Sequence, residues 1–169
     1  PSAMWTNHSG DVHTAVISYN ADGDYTFDVS VKDLAGNESP EADYGNSVAA
    51  KSFTVDTKID NPVIGGVDDS KAYNDAVVPT VSFSDVNFDN YDIKLTRTRF
   101  GDKNADVTAQ FLKGFSRSVS GISGAFDTFE KVSENDGIYT LTLSVTDLAG
   151  NKSSASKTFT VNRFGSVYE

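Results

Sequence analysis

The stretch from Asp22 to Asn37 recurs, 114 positions on, as Asp136 to Asn151, with Asp22/Asp136, Gly23/Gly137, Tyr25/Tyr139 and the whole turn Asp33-Leu34-Ala35-Gly36-Asn37/Asp147-Leu148-Ala149-Gly150-Asn151 in common. A polar stretch follows each copy. A short apolar segment then matches again, Lys51 to Asp56 in the first and Lys157 to Asn162 in the second. Solenoid units run about 20 to 50 residues, so a period this long points to repeated whole domains.

Within the second copy, Tyr139, Leu141, Leu143 and Val145 alternate with Thr140, Thr142, Ser144 and Thr146. A period of two over that length describes a strand with one face in a core and one in water. Asp147 to Asn151 suits a reversal, because Asp bonds backbone amides ahead of it and Gly150, like Gly36, accepts a positive φ. The two matched segments therefore read as a β-hairpin that closes the domain. Tyr25 and Tyr139, each two residues after an Asp-Gly pair, read either as a tyrosine corner, with the hydroxyl bonded back to upstream backbone, or as ordinary core tyrosines.

Further strand candidates ahead of the second hairpin are 62–67, 76–83, 90–100, 106–111 and 126–132. Together with the hairpin they predict about seven strands. Their spacing, with Asp, Asn, Gly and Ser between them, predicts an all-β, immunoglobulin-like antiparallel β-sandwich in tandem array. Pro79 marks an edge strand or a strand that changes sheets. The segment 104–115 is read as strand, although Val107, Phe111 and Phe115 would also line one side of a short helix.

The expected organisation is a C-terminal part of a shortened module over 1–56, a complete module over 57–162 and a linker to a next module over 163–169. The sequence opens Pro1-Ser2-Ala3-Met4, so it is expected to be cut from something longer or to carry a cloning remnant. The first unit has few residues ahead of its hairpin and would expose Tyr25, Phe27, Val29 and Val31 unless a neighbour or a second copy covers them. Disorder is the third expectation.

Tyr25 to Asn37 followed by Phe53-Thr54-Val55-Asp56-Thr57, and Asp136 to Asn151 followed by Phe159 to Tyr168, resemble bacterial immunoglobulin-like repeats of large cell-surface proteins of Gram-positive, Firmicutes-type bacteria. The resemblance implies an extracellular, cell-surface or cell-wall protein built as a string of such modules, with adhesion or spacing as its role. It also implies that Trp5 and the segment 12–19 are late middle strands of the first module. Neighbouring modules of the same chain, and a host or matrix protein or a glycan, are the partners it implies.

The formal charge is −10, with nine acids against two lysines in 1–56 and fifteen against twelve cations in 57–169. Nucleic acid and direct membrane insertion are poor matches for that surface, and no apolar run approaches the roughly 18 residues of a membrane span. Cysteine is absent, which removes disulfides, thiolate nucleophiles and sulfur-ligated metals together.

Catalytic chemistry finds little material, and the chain is read as not an enzyme, with no cofactor. The only histidines are His8 and His13, away from any nucleophile motif. Asp85 to Asp89 opens like an EF-hand calcium loop, but Asn90 stands at the glycine position and Thr96 at the bidentate glutamate. A looser calcium cage from Asp85, Asp89 and Asp92, with Asp68 and Asp69 nearby, stands against a plain reading as solvated turn acids. Lys58 and Asn162 are the pair to examine for a lysine–asparagine cross-link. Tyr73, Phe88, Tyr91, Phe100, Phe111 and Phe115 supply either a ligand patch or core. The expected function is a non-enzymatic structural or adhesive module, with a carbohydrate-binding accessory module of a secreted glycosidase or an inert spacer as alternatives.

Overall fold

The computed structural model of the chain describes residues 4–7, 13–27, 31–32, 34–39 and 51–162. The linker expected over 163–169, together with His8, Val12 and Val29, lies outside the described residues. The chain divides into two compact units, Pro1–Thr57 and Lys58–Glu169.

In the first unit, β1 (Met4–Asn7) pairs with β2 (His13–Val16), Trp5 opposite Ala15. The hairpin then runs as β3 (Gly23–Phe27), β4 (Val31–Lys32), β5 (Glu38–Ser39) and β6 (Lys51–Val55). Tyr25 lies opposite Phe53 and Val31 opposite Ser39, so both ends of the hairpin are antiparallel.

The second unit contributes β7 (Val63–Gly65), β8 (Lys71–Tyr73), β9 (Thr80–Ser84), β10 (Phe88–Arg99), β11 (Asp102–Asp106), a single helical turn α1 (Thr108–Phe111), β12 (Leu112–Ser118), β13 (Gly121–Phe126), β14 (Gly137–Asp147) and β15 (Lys152–Val161). One sheet has the order β11-β10-β14-β15-β8 and the other β12-β13-β9-β7. These are the two layers of an immunoglobulin-like sandwich, with β10, β14 and β15 as the central three-strand group and β7, β9, β13 and β12 as the four-strand sheet. Along β14 every second residue from Gly137 to Asp147 is buried, as the period-two pattern requires.

Nine strands rather than seven form this unit among the described residues, and the differences have local causes. The first strand is split in two at Gly66, whose φ of +74 bends the chain out of one sheet and into the other. A Cβ at Gly66 would collide with the Val78 carbonyl oxygen, so only glycine fits that approach. Neither alternative expected at Pro79 holds: the change of sheets occurs earlier, and β9 lies between β13 and β7 rather than at an edge. Pro79 itself sits one residue before β9, where its missing N–H costs no ladder bond. The strand expected over 106–111 is instead the end of β11 followed by α1. Asp106 Oδ1 accepts the Thr108 amide at 2.9 Å, the Thr108 hydroxyl oxygen accepts the Leu95 amide at 2.8 Å, and the turn drops Phe111 into the core. The strand expected over 126–132 lies earlier, as β13. It was hidden by Gly121 and Gly124, which suggest a turn but serve close packing against the Phe83 carbonyl and the Phe115 ring.

The core is filled from both sheets: Leu95, Leu141, Leu143, Val145 and Val161 from one, Ile64, Val81, Phe83, Ile122 and Phe126 from the other. Between them lies an aromatic group, Phe111 stacked on Phe129 at 4.3 Å and Phe129 edge-on to Tyr139 at 4.8 Å, with Tyr139 stacked on Phe159 at 5.5 Å.

Candidate functional site

The residues singled out from the repeat hold the closing hairpin together. Asp147 is buried at the end of β14, and its Oδ1 accepts the Asn151 backbone amide at 2.8 Å while Oδ2 accepts the Asn151 side-chain amide at 2.8 Å. Gly150 has a φ of +89 and Gly36, at the matching place in the first unit, +90. The Tyr139 hydroxyl donates to the Asn135 carbonyl at 2.8 Å, and the Tyr25 hydroxyl donates to the Ala21 carbonyl at 2.8 Å. Each tyrosine therefore ties its strand to the backbone four residues upstream, the tyrosine-corner geometry.

A second correspondence was not legible beforehand. In the first unit Tyr19 stands edge-on to Tyr25 at 4.6 Å and to Phe53 at 4.9 Å. That is the place Phe129 takes against Tyr139 and Phe159 in the second unit. The spacing hid it, because Tyr19 precedes its tyrosine by six residues and Phe129 by ten. A 3₁₀ turn over Ser133–Asn135 lies in the longer interval.

The acids considered for calcium are engaged separately. Asp85 Oδ1 accepts the Asn87 amide at 2.7 Å, Asp69 Oδ1 accepts the Thr158 amide at 2.7 Å, and Asp68 accepts from the Lys71 ammonium at 2.9 Å. Asp89 and Asp92 are exposed on β10. Among the described residues no three histidine, cysteine, aspartate or glutamate side chains gather where they could hold a metal ion. The bond from Lys71, reinforced by its charge, holds the Asp68 carboxyl below the usual aspartate value and raises Lys71 in turn. Asp106 is also held low, by the hydrogen bonds that it receives from the Thr108 hydroxyl and amide.

Of the six aromatics weighed as a ligand patch, Phe88 and Phe111 are core, while Tyr73, Tyr91 and Phe115 pack against it. Phe100 alone of the six stands free, 99% exposed in the turn between β10 and β11. Lys58 is exposed; Asn162 is half-buried at the end of β15, where its backbone amide bonds the Tyr73 carbonyl at 3.0 Å.

Three turns meet at the other end of β10. The Asp85 amide bonds the Ser120 carbonyl and the Leu148 amide bonds the Asn87 carbonyl. Val86, Val119 and Leu148, 88%, 91% and 73% exposed, crown these turns. Two shallow, open hollows flank them, one lined by serines of β9, β12 and β13 with Asp60 and Asn61, the other by Phe88, Asp89, Arg117 and Val119. No helix among the described residues is long and apolar enough to cross a membrane.

A family model described as bacterial Ig-like domain matches residues 3–56 and 128–163, more than half of the chain and both closing hairpins. No curated protein and no solved structure matches the chain.

Proposed function

The chain belongs to the bacterial Ig-like domain family, and from that premise we propose that it serves as a non-enzymatic structural or adhesive module of a bacterial surface or secreted multidomain protein. Residues 1–56 are read as the closing part of one module and 57–162 as a whole one, set in tandem.

The observation that carries this reading is how the second unit spends its polar groups. Buried Asp147 fixes a turn, Asp69 and Asp85 accept backbone amides, and an apolar cluster fills the space between the sheets, with Arg97, Asn135 and Asp136 buried beside it. Such a module offers rigidity, and it offers loop tips to a partner. The crown of Val86, Val119 and Leu148 and the isolated Phe100 are the surfaces on which adhesion to a matrix protein or glycan would act. Members of the family are commonly extracellular.

Labelling intact bacterial cells with an antibody to the chain tests the setting. Surface label before lysis is expected, and label seen only after lysis overturns it. Arrays of matrix proteins and glycans then separate the roles. Binding lost on Val86→Ser with Leu148→Ser marks adhesion, and no binding to any probe marks spacing.

A further inference from the structure

We propose that the hollow beside Arg117 binds an acidic sugar, one whose ring carries a carboxylate, and that the serine-lined hollow next to it takes the neighbouring sugar of the same ligand. The proposal deepens the adhesive reading above and rests on it.

Arg117 lies on β12 opposite buried Ile122, so its side chain starts on the inward row of the sheet. Because β12 is an edge strand, the long side chain leaves the core there and carries its charge into solvent. The guanidinium lies over the Phe88 ring, 5.5 Å from its centroid, and Nη2 donates to the Asp89 carbonyl. Ring and carbonyl hold the group in place before a ligand arrives, which lowers the ordering cost of binding. Among the described residues no carboxylate pairs with it. On a chain of charge −10, Arg117 is thus a fixed, exposed cation with N–H donors to spare. Its planar fork matches a carboxylate.

The rest of the hollow decides what carries that carboxylate. Asp89 and Ser118 line it beside Arg117, and Val119, 91% exposed, stands with them. Asp89 repels a ligand that offers only negative charge, such as an acidic peptide, but accepts hydrogen bonds from hydroxyls. The Ser118 hydroxyl has long bonds, 3.4 Å to the Ser120 hydroxyl and 3.3 Å to the Gly121 carbonyl, which a ligand hydroxyl can replace. The Val119 methyls suit the C–H face of a ring. Carboxylate, hydroxyls and an apolar face belong together on one acidic pyranose. Ser118 also lines the second hollow, with Ser82, Ser84, Ser120 and Asn61 and without a cation. One oligosaccharide can therefore cross from the first to the second, with an uncharged sugar among the serines.

Amide chemical shifts of the full chain are followed during titration with two acidic oligosaccharides, one of alternating glucuronate and N-acetylglucosamine and one ending in a sialic acid. The same sugars with the carboxyl reduced to an alcohol are titrated alongside. Shifts at Asp89 and at residues 117–121 are expected with at least one acidic sugar, and the sugar that acts identifies the source of the carboxylate. Reduction should weaken binding roughly tenfold or more, because hydrogen bonds to a charged group are lost. Arg117→Met should weaken it as much with little change in denaturant midpoint. Arg117→Lys, which keeps the charge without the fork, should restore only part. Leu148→Ser, outside both hollows, should leave it unchanged.

The absence of shifts with either acidic sugar overturns the proposal, as does equal binding of the reduced sugars. Equal binding of a hexaglutamate peptide also overturns it, because charge alone would then suffice. If Arg117→Met fails to fold, the reduced sugars decide. Adhesion through the crown is tested separately. Binding that is lost on Val86→Ser with Leu148→Ser but indifferent to Arg117→Met keeps the adhesive reading and discards the acidic-sugar site.

Discussion

Tyr139 fills the centre of the second unit with its ring and closes a backbone bond with its hydroxyl, and these contributions can be measured apart. Tyr139→Phe removes the bond to Asn135 and leaves its carbonyl to find another donor, costing about 1 kcal/mol. Tyr139→Ala also opens a cavity among Phe111, Phe129 and Phe159 and should cost about 3 kcal/mol in a urea titration. The glycines divide in a similar way. Gly150 needs its left-handed φ but has open space around it, so Gly150→Ala should cost about 1 kcal/mol of backbone strain. Gly66→Ala adds a collision with the Val78 carbonyl to the same strain and should cost at least ~3 kcal/mol. The pair Asp68 and Lys71 sets a pH dependence of known sign. The Asp68 carboxyl, depressed by its lysine, contributes stability above its unfolded value near ~3.9, and that contribution is lost as pH falls through the lower folded value. The raised Lys71 contributes below its unfolded value near ~10.4 and loses this as pH climbs through the folded one. Lys71→Met should therefore shrink the fall in denaturant midpoint between neutral and acid pH, and an unchanged fall would show that the pair contributes nothing.

Among the elements, the closing hairpin was legible to the residue, because Tyr139 to Val145 alternates without a break and Asp147 to Asn151 names its own turn. The long β10 was legible for the same reason. What escaped was everything whose residues answer to a neighbour rather than to their own period. Lys71–Tyr73 is too short to show alternation and is a strand only because β15 lies beside it. Gly121 and Gly124 signal a turn in the sequence, yet in β13 they give way to the Phe83 carbonyl and the Phe115 ring. The segment around Phe111 carried strand and helix periods together, and Asp106 and Thr108 decide the matter with local hydrogen bonds. Of the candidate site residues, the turn and corner groups were legible from the repeat, whereas the Tyr19 match needed the fold to bring it beside Tyr25 and Phe53. Phe111 anchors α1 by stacking on Phe129, so Phe111→Ala should cost about 3 kcal/mol. A cost near that of an exposed substitution would mean that α1 does not seat its ring in the core.

For the whole molecule, the repeat sets two closing hairpins in one chain with the same register and different surroundings. Phe159 is 1% exposed in the second unit, and Phe53, its counterpart, is 37% exposed in the first. The second unit is sealed by a sheet that packs over its aromatic group, and this sealing is the basis for reading it as a rigid structural module. Residue-resolved amide hydrogen exchange of the full chain under native conditions tests that most directly. If the two sheets form one sandwich, amides of β9, β10, β13, β14 and β15 will exchange only through a shared, cooperative opening with one common free energy. Protection of β14 and β15 alongside free exchange in β9 and β13 would contradict it, because the hairpin would then stand without the sheet that covers it.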